Sequence, residues 1–262
     1  MGYSFMLDKS QLSAGIAKSN QDVEIAKFDA LAQEWRDPKG KFRHVLAFNS
    51  TRLMAIENAI AVHFQRDLNQ DIPFKGLKIL DIGCGVGLLC EPLASQGADV
   101  IGIDASGHNI TLAQRHAQQW SIKVDYKHCL AQNIVGSEQL YDVVLNTEVI
   151  EHVDDQQQLV DTCCQLLKPS GLLVMATLNR TLKSYIIGII GAEYVMRYLP
   201  KGTHDWNYFV KPQEITSMII PHGLKTISVE GMTFNPLTGR WKITNNPDVN
   251  YLLYAHKTAD AP

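Results

Sequence analysis

A carboxylate directly precedes a glycine-rich turn in the segment KILDIGCGVG, residues 78–87. Gly83, Gly85 and Gly87 follow Asp81 at every second position, whereas most NAD sites space their glycines as G-x-G-x-x-G. Glycine tolerates positive φ and lets the backbone approach a ligand closely. An acid before the turn would repel a pyrophosphate but attract an ammonium group. The turn therefore favours S-adenosylmethionine (SAM), which carries an ammonium group and a sulfonium and has no phosphate.

A second acid supports a nucleoside cofactor. Asp104 ends the next predicted strand, where a carboxylate can accept both ribose hydroxyls of NAD or of SAM. Asn146 and Thr147 end the fourth predicted strand and are expected to face the same cleft. The letters NTEV at that point differ from the D/N-P-P-aromatic turn of DNA amino-methyltransferases, which disfavours an exocyclic amine as the methyl acceptor.

Glu148, Glu151 and His152 follow the fourth predicted strand and could carry the chemistry. On a helical turn, Glu148 would share a face with Glu151 or His152. Three interpretations stay open at this point. The three side chains could bind Mg²⁺, Glu148 or His152 could act as a general base without a metal, or the group could only orient the loop.

The elements that must position these residues alternate along the chain. Predicted strands alternate with helices, which is typical of an α/β fold with a mostly parallel Rossmann-like sheet and helices on both faces. The predicted strands are 77–82, 98–104, 122–128, 141–147, 171–178, a segment near 224–230, and 250–257. The predicted organisation is a flexible tail (1–20), an N-terminal helical cap (21–70) and a main domain (71–262) with an apolar insertion at about 180–210.

Composition excludes some classes of function. The chain has 262 residues, a formal net charge of -3 and a pI near 6.3, so no overall positive field favours nucleic acid as a partner. Five cysteines without a C-x-x-C pair are typical of a reduced, intracellular protein. The N-terminus lacks the apolar core of a signal peptide, so we expect a cytoplasmic protein.

The insertion contains the apolar segment YIIGIIGAEYVMRYL (185–199), which is too short to span a bilayer. One interpretation is a helix packed in the core. The other is a lid or interfacial segment that receives a lipid tail and touches the membrane, with Lys183, Arg197 and Lys201 near lipid headgroups. His204, Asp205 and Trp206 either close the pocket or form a polar turn.

The chain resembles the ubiquinone-biosynthesis O-methyltransferases of bacteria and mitochondria. The segments that carry the resemblance are EIAKFDALAQEWRD, LDIGCGVG, YDVVLNTEVIEHV, LNRTLKSYIIGIIGAEYVMRYLPKGTHDW and DVNYLL. The resemblance implies a seven-stranded sheet with the last strand antiparallel. It implies SAM as cofactor and both O-methylations of a polyprenylated catechol or quinol. The interfacial interpretation of the insertion adds peripheral membrane contact through residues 183–201, and we expect other ubiquinone-biosynthesis proteins among the partners.

The resemblance also implies roles for particular residues. Cofactor contacts carry over to Arg52, Gly83, Asp104 and Thr147, with the Arg52 guanidinium paired to the methionyl carboxylate. Without the resemblance, Arg52 reads as a solvated helix residue. The mitochondrial members imply a divalent ion such as Mg²⁺ at Glu148, Glu151 and His152, holding the catechol oxygens.

The chain departs from the family pattern at one letter of the glycine turn, where Val86 stands in place of a glycine. We expect a negative φ there. The alternatives in function are a methyltransferase for another small apolar hydroxylated substrate, an NAD(P)-dependent reductase, and a non-catalytic quinone- or lipid-binding scaffold.

Overall fold

A computed structural model describes residues 43–136, 139–185, 205–235 and 238–259 of the chain. The helices are α1 (Arg43–His63), α2 (Cys90–Ser95), α3 (Gly107–Gln119), α4 (Gln156–Gln165), α5 (Leu182–Ser184) and α6 (Pro212–Ile219). The strands are β1 (Lys78–Ile82), β2 (Asp99–Asp104), β3 (Asp125–His128), β4 (Tyr141–Thr147), β5 (Leu167–Leu178), β6 (Leu224–Asn235), β7 (Arg240–Thr244) and β8 (Asn250–Lys257). The predicted tail, the first part of the helical cap and most of the apolar insertion lie outside the described residues.

The described strands form one sheet in the order β3-β2-β1-β4-β5-β8-β6-β7. Strands β1 to β5 pair in parallel, and β8 pairs antiparallel with both β5 and β6. The predicted mixed Rossmann-like sheet with an antiparallel last strand is therefore confirmed. The expected count of seven strands is too low by one, because β7 pairs antiparallel with β6 at the edge of the sheet.

Central strands are apolar because both faces of the sheet are covered. In β1, Ile79 packs in the core on one face and Leu80 in the core on the other. The same division holds in β4, where Val143 and Val144 face opposite cores. This burial on both faces explains why β1 and β4 read as continuous apolar runs rather than as alternating patterns.

Helix boundaries follow local backbone chemistry. Helix α1 is described from Arg43 onward. Helix α2 begins at Cys90 and not directly at the glycine turn, because Gly87 has a left-handed φ of 81° that belongs to the turn. Helix α3 follows Ser106, whose hydroxyl accepts a hydrogen bond from the amide of Asn109 in the first turn.

The register of the central strands brings the predicted site residues to one edge. Ile82 lies opposite Ile103 on one side and opposite Asn146 on the other. The carboxyl ends of β1, β2 and β4 therefore lie side by side, which is where ligands bind in open α/β sheets.

Candidate active site

The glycine turn after β1 uses its glycines for backbone conformation. Gly83, Gly85 and Gly87 have φ values of 78°, 54° and 81°, a region that favours glycine over every other residue. The amides of Gly83 and Cys84 both donate to the carbonyl of Ile103, at 2.8 and 2.9 Å. These two hydrogen bonds hold the turn against the end of β2.

Val86, the letter that departs from the family pattern, has a structural explanation. Its φ is not positive, and the residue is 2% exposed. The expected negative φ is therefore confirmed. A valine is tolerated at this position because its side chain is buried while the glycines on either side take the left-handed conformations.

Asp81 is a buried acid, and only one of its two carboxylate oxygens has a hydrogen-bond partner among the described residues. It is 1% exposed, and Cys90 Sγ donates to its Oδ2 at 3.3 Å. Its Oδ1 has no hydrogen-bond partner within the described part of the chain. Burial raises the pKa of Asp81 to about 7, and the charge of Asp104 adds to that rise. A cationic group beside Oδ1 would satisfy this oxygen and hold the carboxylate ionised, so the site fits an ammonium group.

Asp104 organises the turn as well as facing the site. Its Oδ2 accepts from the amide of Gly85 at 2.9 Å, and its Oδ1 accepts from the amide of Ser106 at 2.8 Å. The side chain of Asn109 donates to the same Oδ1 at 3.3 Å. A carboxylate has about four acceptor positions, so one acid can link the glycine turn to the start of α3. Sequence reasoning missed this linking role.

Arg52 is buried rather than solvated, which overturns the interpretation from its own sequence context. It is 2% exposed, and its Nη2 donates to Glu148 Oε1 at 2.5 Å. Its guanidinium carbon lies 4.4 Å from the ring centroid of Phe48. Its Nε has no partner among the described residues. A buried guanidinium with a remaining donor fits a carboxylate ligand, which arginine can bind through two parallel hydrogen bonds.

The turn after β4 is not the helical turn that the spacing predicted. Glu148 has a φ of 57°, which is uncommon for a residue with a side chain, and its amide donates to the carbonyl of Ala176 at 2.8 Å. Ile150–His152 then form a single 3₁₀ turn. The left-handed residue turns the chain sharply between strand and helix, so Glu148 and His152 do not share a helical face. Backbone strain of this kind is concentrated at functional sites.

Glu151 lies inside the protein rather than in the cleft. It is 4% exposed, and one of its oxygens accepts from Thr177 Oγ1 at 2.7 Å. Burial raises the pKa of Glu151 well above its usual range, and the nearby charge of Glu148 raises it further. The buried surroundings of Glu151 therefore favour its neutral form over its ionised form.

These residues do not fit the expected Mg²⁺ site. Mg²⁺ demands near-octahedral coordination by ionised carboxylates and water. Glu148 is already paired with Arg52, and Glu151 is buried with one oxygen accepting from Thr177. Within the part of the chain that the structure describes, no three histidine, cysteine or acidic side chains are arranged to hold a metal ion. The described arrangement of these three side chains therefore does not support a metal-bound mechanism.

Two amides complete the site edge. Asn146, at the end of β4, is fully buried, and its Oδ1 has no partner within the described segments. Asn179, just after β5, donates to the carbonyl of Pro247 at 2.9 Å, while its Oδ1 likewise lacks a partner there. Thr147, next to Asn146, is buried at the same edge. Sequence analysis missed Asn179, for which the position after a central parallel strand was the available signal.

The described ends of the insertion carry aromatic contacts. Trp206 Nε1 donates to the carbonyl of Thr181 at 3.1 Å, and its ring centroid lies 6.4 Å from that of Tyr185. Lys183 pairs with Asp248 at 3.1 Å. Asp205 accepts from the amide of Asn207 and caps a short 3₁₀ turn.

The predictions for the apolar segment, Arg197, Lys201 and His204 concern residues outside the described part of the chain. No helix among residues 43–136, 139–185, 205–235 and 238–259 is long and apolar enough to cross a membrane.

Comparison with known proteins agrees with this geometry. Residues 56–228 match the family model described as a methyltransferase domain. The chain is 47% identical over 239 residues to the ubiquinone biosynthesis O-methyltransferase of Chelativorans sp. (strain BNC1), covering 91% of this chain and 94% of the relative. It is 48% identical over 237 residues to the protein of the same name from Roseobacter denitrificans, covering 90% and 96% of the two chains.

Solved structures share the fold at low sequence identity. The magnesium protoporphyrin IX methyltransferase of Synechocystis PCC 6803, solved with bound SAM, superposes with a TM-score of 0.62 at 18% identity, covering 94% of this chain and all of that chain. A SAM-dependent methyltransferase from Thermotoga maritima, described as a possible histamine N-methyltransferase, gives a TM-score of 0.64 at 15% identity, covering 90% of this chain and all of that one.

Proposed function

The chain belongs to the ubiquinone biosynthesis O-methyltransferases, and from that premise we propose how its own residues bind SAM and prepare the acceptor hydroxyl. The protein is a SAM-dependent O-methyltransferase that methylates polyprenylated catechol or quinol precursors of ubiquinone. One observation carries the assignment of the site. The buried Asp81 and Arg52 each keep one atom, Oδ1 and Nε, without a partner in the described chain, and SAM has a cation and an anion to match them.

In our proposal, the methionyl end of SAM lies between these two side chains. Asp81 Oδ1 accepts from the ammonium group, and the Arg52 guanidinium donates to the carboxylate. Asp104 accepts from the ribose hydroxyls, as the acid at the end of the second strand does in nucleoside sites. Gly83, Gly85 and Thr147 contribute backbone at the site edge. Both charges of the amino-acid moiety would thereby be matched by buried side chains.

We propose that His152 is the general base and that Glu148 is a positioning residue rather than the base. When bound, SAM supplies an electrophilic methyl group on its sulfonium. His152 takes the proton of the catechol hydroxyl onto its imidazole ring and so raises the nucleophilicity of the oxygen. The Arg52 guanidinium donates to Glu148 Oε1 at 2.5 Å, so we assign to Glu148 the role of keeping Arg52 in place. Variants at His152 and Glu148 distinguish this role for Glu148 from the alternative in which Glu148 is the base.

The test is methyl transfer to a short-chain demethylubiquinol by the full-length protein. We expect His152→Gln to lower kcat by about 10²- to 10⁴-fold, the usual contribution of a general base. We expect Glu148→Gln to weaken SAM binding more than it lowers kcat. The reverse pattern would make Glu148 the base. Tight SAM binding without turnover of any prenylated catechol would instead support a non-catalytic scaffold.

The same assay tests the metal. Activity that EDTA leaves unchanged agrees with a mechanism carried by side chains alone. Loss of activity in EDTA, with recovery on adding Mg²⁺, would show that the arrangement of Glu148, Glu151 and His152 changes to bind an ion.

We further propose that residues 183–201 contact the inner face of the cytoplasmic membrane, where a polyprenyl substrate is dissolved. The support is the apolar sequence 185–199 together with the basic residues Lys183, Arg197 and Lys201. Flotation with vesicles of anionic phospholipid is expected to capture the protein and to weaken when Arg197 and Lys201 are both changed to glutamate. Equal capture of both proteins would contradict this membrane contact.

A further inference from the structure

Arg52 is supported by a row of aromatic side chains that extends to the far edge of the sheet. Phe48 lies four residues before Arg52 in α1, so the two side chains are neighbours on one helix face. The guanidinium carbon of Arg52 stands 4.4 Å from the centroid of the Phe48 ring. A cation in this position is attracted to the negative face of an aromatic ring, and the attraction strengthens where water is excluded.

Phe48 is in turn fixed by the extra strand. The ring of Trp241, on β7, meets the Phe48 ring edge-to-face, with centroids 4.8 Å apart and an interplanar angle of 69°. Trp241 lies directly opposite Phe234 of β6 in the sheet register, and these two rings are 5.3 Å apart. Aromatic pairs across neighbouring strands and edge-to-face contacts both stabilise a fixed arrangement of rings.

From these contacts we infer that the β6–β7 hairpin holds the cofactor-binding arginine in place: Trp241 fixes Phe48, and the Phe48 ring fixes the guanidinium of Arg52. On its other sides, the guanidinium donates to Glu148 through Nη2, and its Nε has no partner among the residues that the structure describes. An arginine on a flexible side chain pays a cost in conformational entropy each time it binds a ligand. Fixing the Arg52 side chain before SAM binds removes that cost. Strand β7 therefore has a role in positioning Arg52 for the SAM carboxylate.

The alternative is that the aromatic row only stabilises the fold, because Phe48 and Trp241 also pack against the large core on that face of the sheet. Phe74 provides the matched control, since it is fully buried in the same core, whereas within the described part of the chain the ring that stacks on the Arg52 guanidinium is that of Phe48. Replacing Phe74 with leucine removes a similar apolar volume without changing the surroundings of the guanidinium.

The inference rests on the proposed contact between Arg52 and SAM, so the experiment includes Arg52 itself. Titration calorimetry of the purified full-length protein gives the Kd for SAM in each variant. We expect Phe48→Leu to raise this Kd about 5- to 30-fold, the range of a partly desolvated cation–π contact. We expect Trp241→Leu to raise it about threefold, and Phe74→Leu to change it by less than twofold.

Two further readouts distinguish positioning from folding. The NMR signal of the Arg52 Nε–H group in the ligand-free protein should shift in Phe48→Leu and stay in place in Phe74→Leu. In an Arg52→Lys background, Phe48→Leu should add less than twofold to the Kd. In steady-state assays the loss should fall on KM for SAM, with the KM for the quinol unchanged.

The possible failures are separable. If Arg52→Lys leaves SAM binding intact, the proposed carboxylate contact is wrong, and the inference built on it is overturned as well. If Arg52→Lys weakens binding but Phe48→Leu does not, or if Phe74→Leu weakens binding equally, the carboxylate contact stands and the positioning role of the aromatic row is overturned.

Discussion

A Cβ atom at position 83 would lie 2.2 Å from Cγ2 of Val149. Gly83 belongs to the glycine turn after β1, for which we propose a contact with SAM, whereas Val149 belongs to the turn after β4 that also carries Glu148 and His152. The two functional turns are thus in direct contact, and only glycine leaves room for the second turn. A change in the cofactor turn is therefore transmitted to the residues proposed for chemistry.

Gly83→Ala is expected to destabilise the protein and to impair both SAM binding and kcat. A left-handed alanine costs about 1–2 kcal/mol, and the clash with Val149 adds an overpacking cost of about 1–3 kcal/mol. Urea unfolding and SAM titration provide the measurements. The double variant Gly83→Ala with Val149→Ala should recover part of the binding. Gly76→Ala, with a φ of 84° and no atom within 4 Å of the added Cβ, controls for backbone strain alone.

Asp81 predicts a pH dependence of SAM binding. Its pKa near 7 in the ligand-free protein means that about half of the molecules carry a neutral acid at that pH. If the ammonium group binds the ionised form, the Kd should rise about tenfold for each pH unit below 7 and approach a constant value above it. Titration calorimetry between pH 5.5 and 7.5 measures this slope. A slope that persists in Asp81→Asn would assign the dependence to another group.

The same raised pKa makes a prediction for stability. The pKa of this carboxyl is higher in the folded state than its ordinary 3.8, so ionisation favours the unfolded state. The resulting loss in the free energy of unfolding grows from about pH 4 and is complete above pH 7. Asp81→Asn should therefore stabilise the ligand-free protein at pH 7.5 relative to wild type while weakening SAM binding. Thermal unfolding at pH 5 and pH 7.5 tests the sign, and equal stability differences at both pH values would contradict it.

Glu151 is predicted to tolerate glutamine. Glu151 is buried in surroundings that raise its pKa, and it accepts from Thr177, so the isosteric neutral amide keeps that hydrogen bond. We expect Glu151→Gln to keep kcat within about fivefold. Glu151→Ala should cost about 1–3 kcal/mol of stability, because it leaves the Thr177 hydroxyl unpartnered and opens a cavity. A loss of activity in Glu151→Gln that added Mg²⁺ partly reverses would instead point to a metal ligand.

Asp104→Asn is predicted to lower the free energy of unfolding of the protein even in the absence of SAM. One amide oxygen cannot replace both carboxylate oxygens, so either Gly85 or Ser106 loses its acceptor. We expect a loss of about 1–3 kcal/mol in urea unfolding of the ligand-free protein, together with weaker SAM binding. Asp125→Asn, which removes an exposed partner of Lys127, should cost less than about 1 kcal/mol. Unchanged stability in Asp104→Asn would reduce its role to a ligand contact.

Most of the site could be predicted from sequence because parallel strands deliver their carboxyl ends to one edge. That rule predicted Asp104 and Thr147 at strand ends, where β2 and β4 have them, whereas Asp81 was singled out by its place before the glycine turn. The turn after β4 was predicted wrongly, since residue spacing assumes a helix and the left-handed φ of Glu148 breaks it. Strand β7 was missed because RWKIT is short and only partly buried, so its pattern is weak.

The sequence by itself determined the fold class, the cofactor and the family, since these follow from local features such as apolar strands, glycine spacing and one acid before a turn. Only the tertiary structure decided which acids are buried and what each cation contacts. Arg52 and Glu148 are 96 residues apart in the chain, and their pairing depends on how α1 packs over the sheet. Burial and neighbouring charges raise the pKa of Asp81 and of Glu151, and both causes arise from contacts between distant segments rather than from the order of the residues.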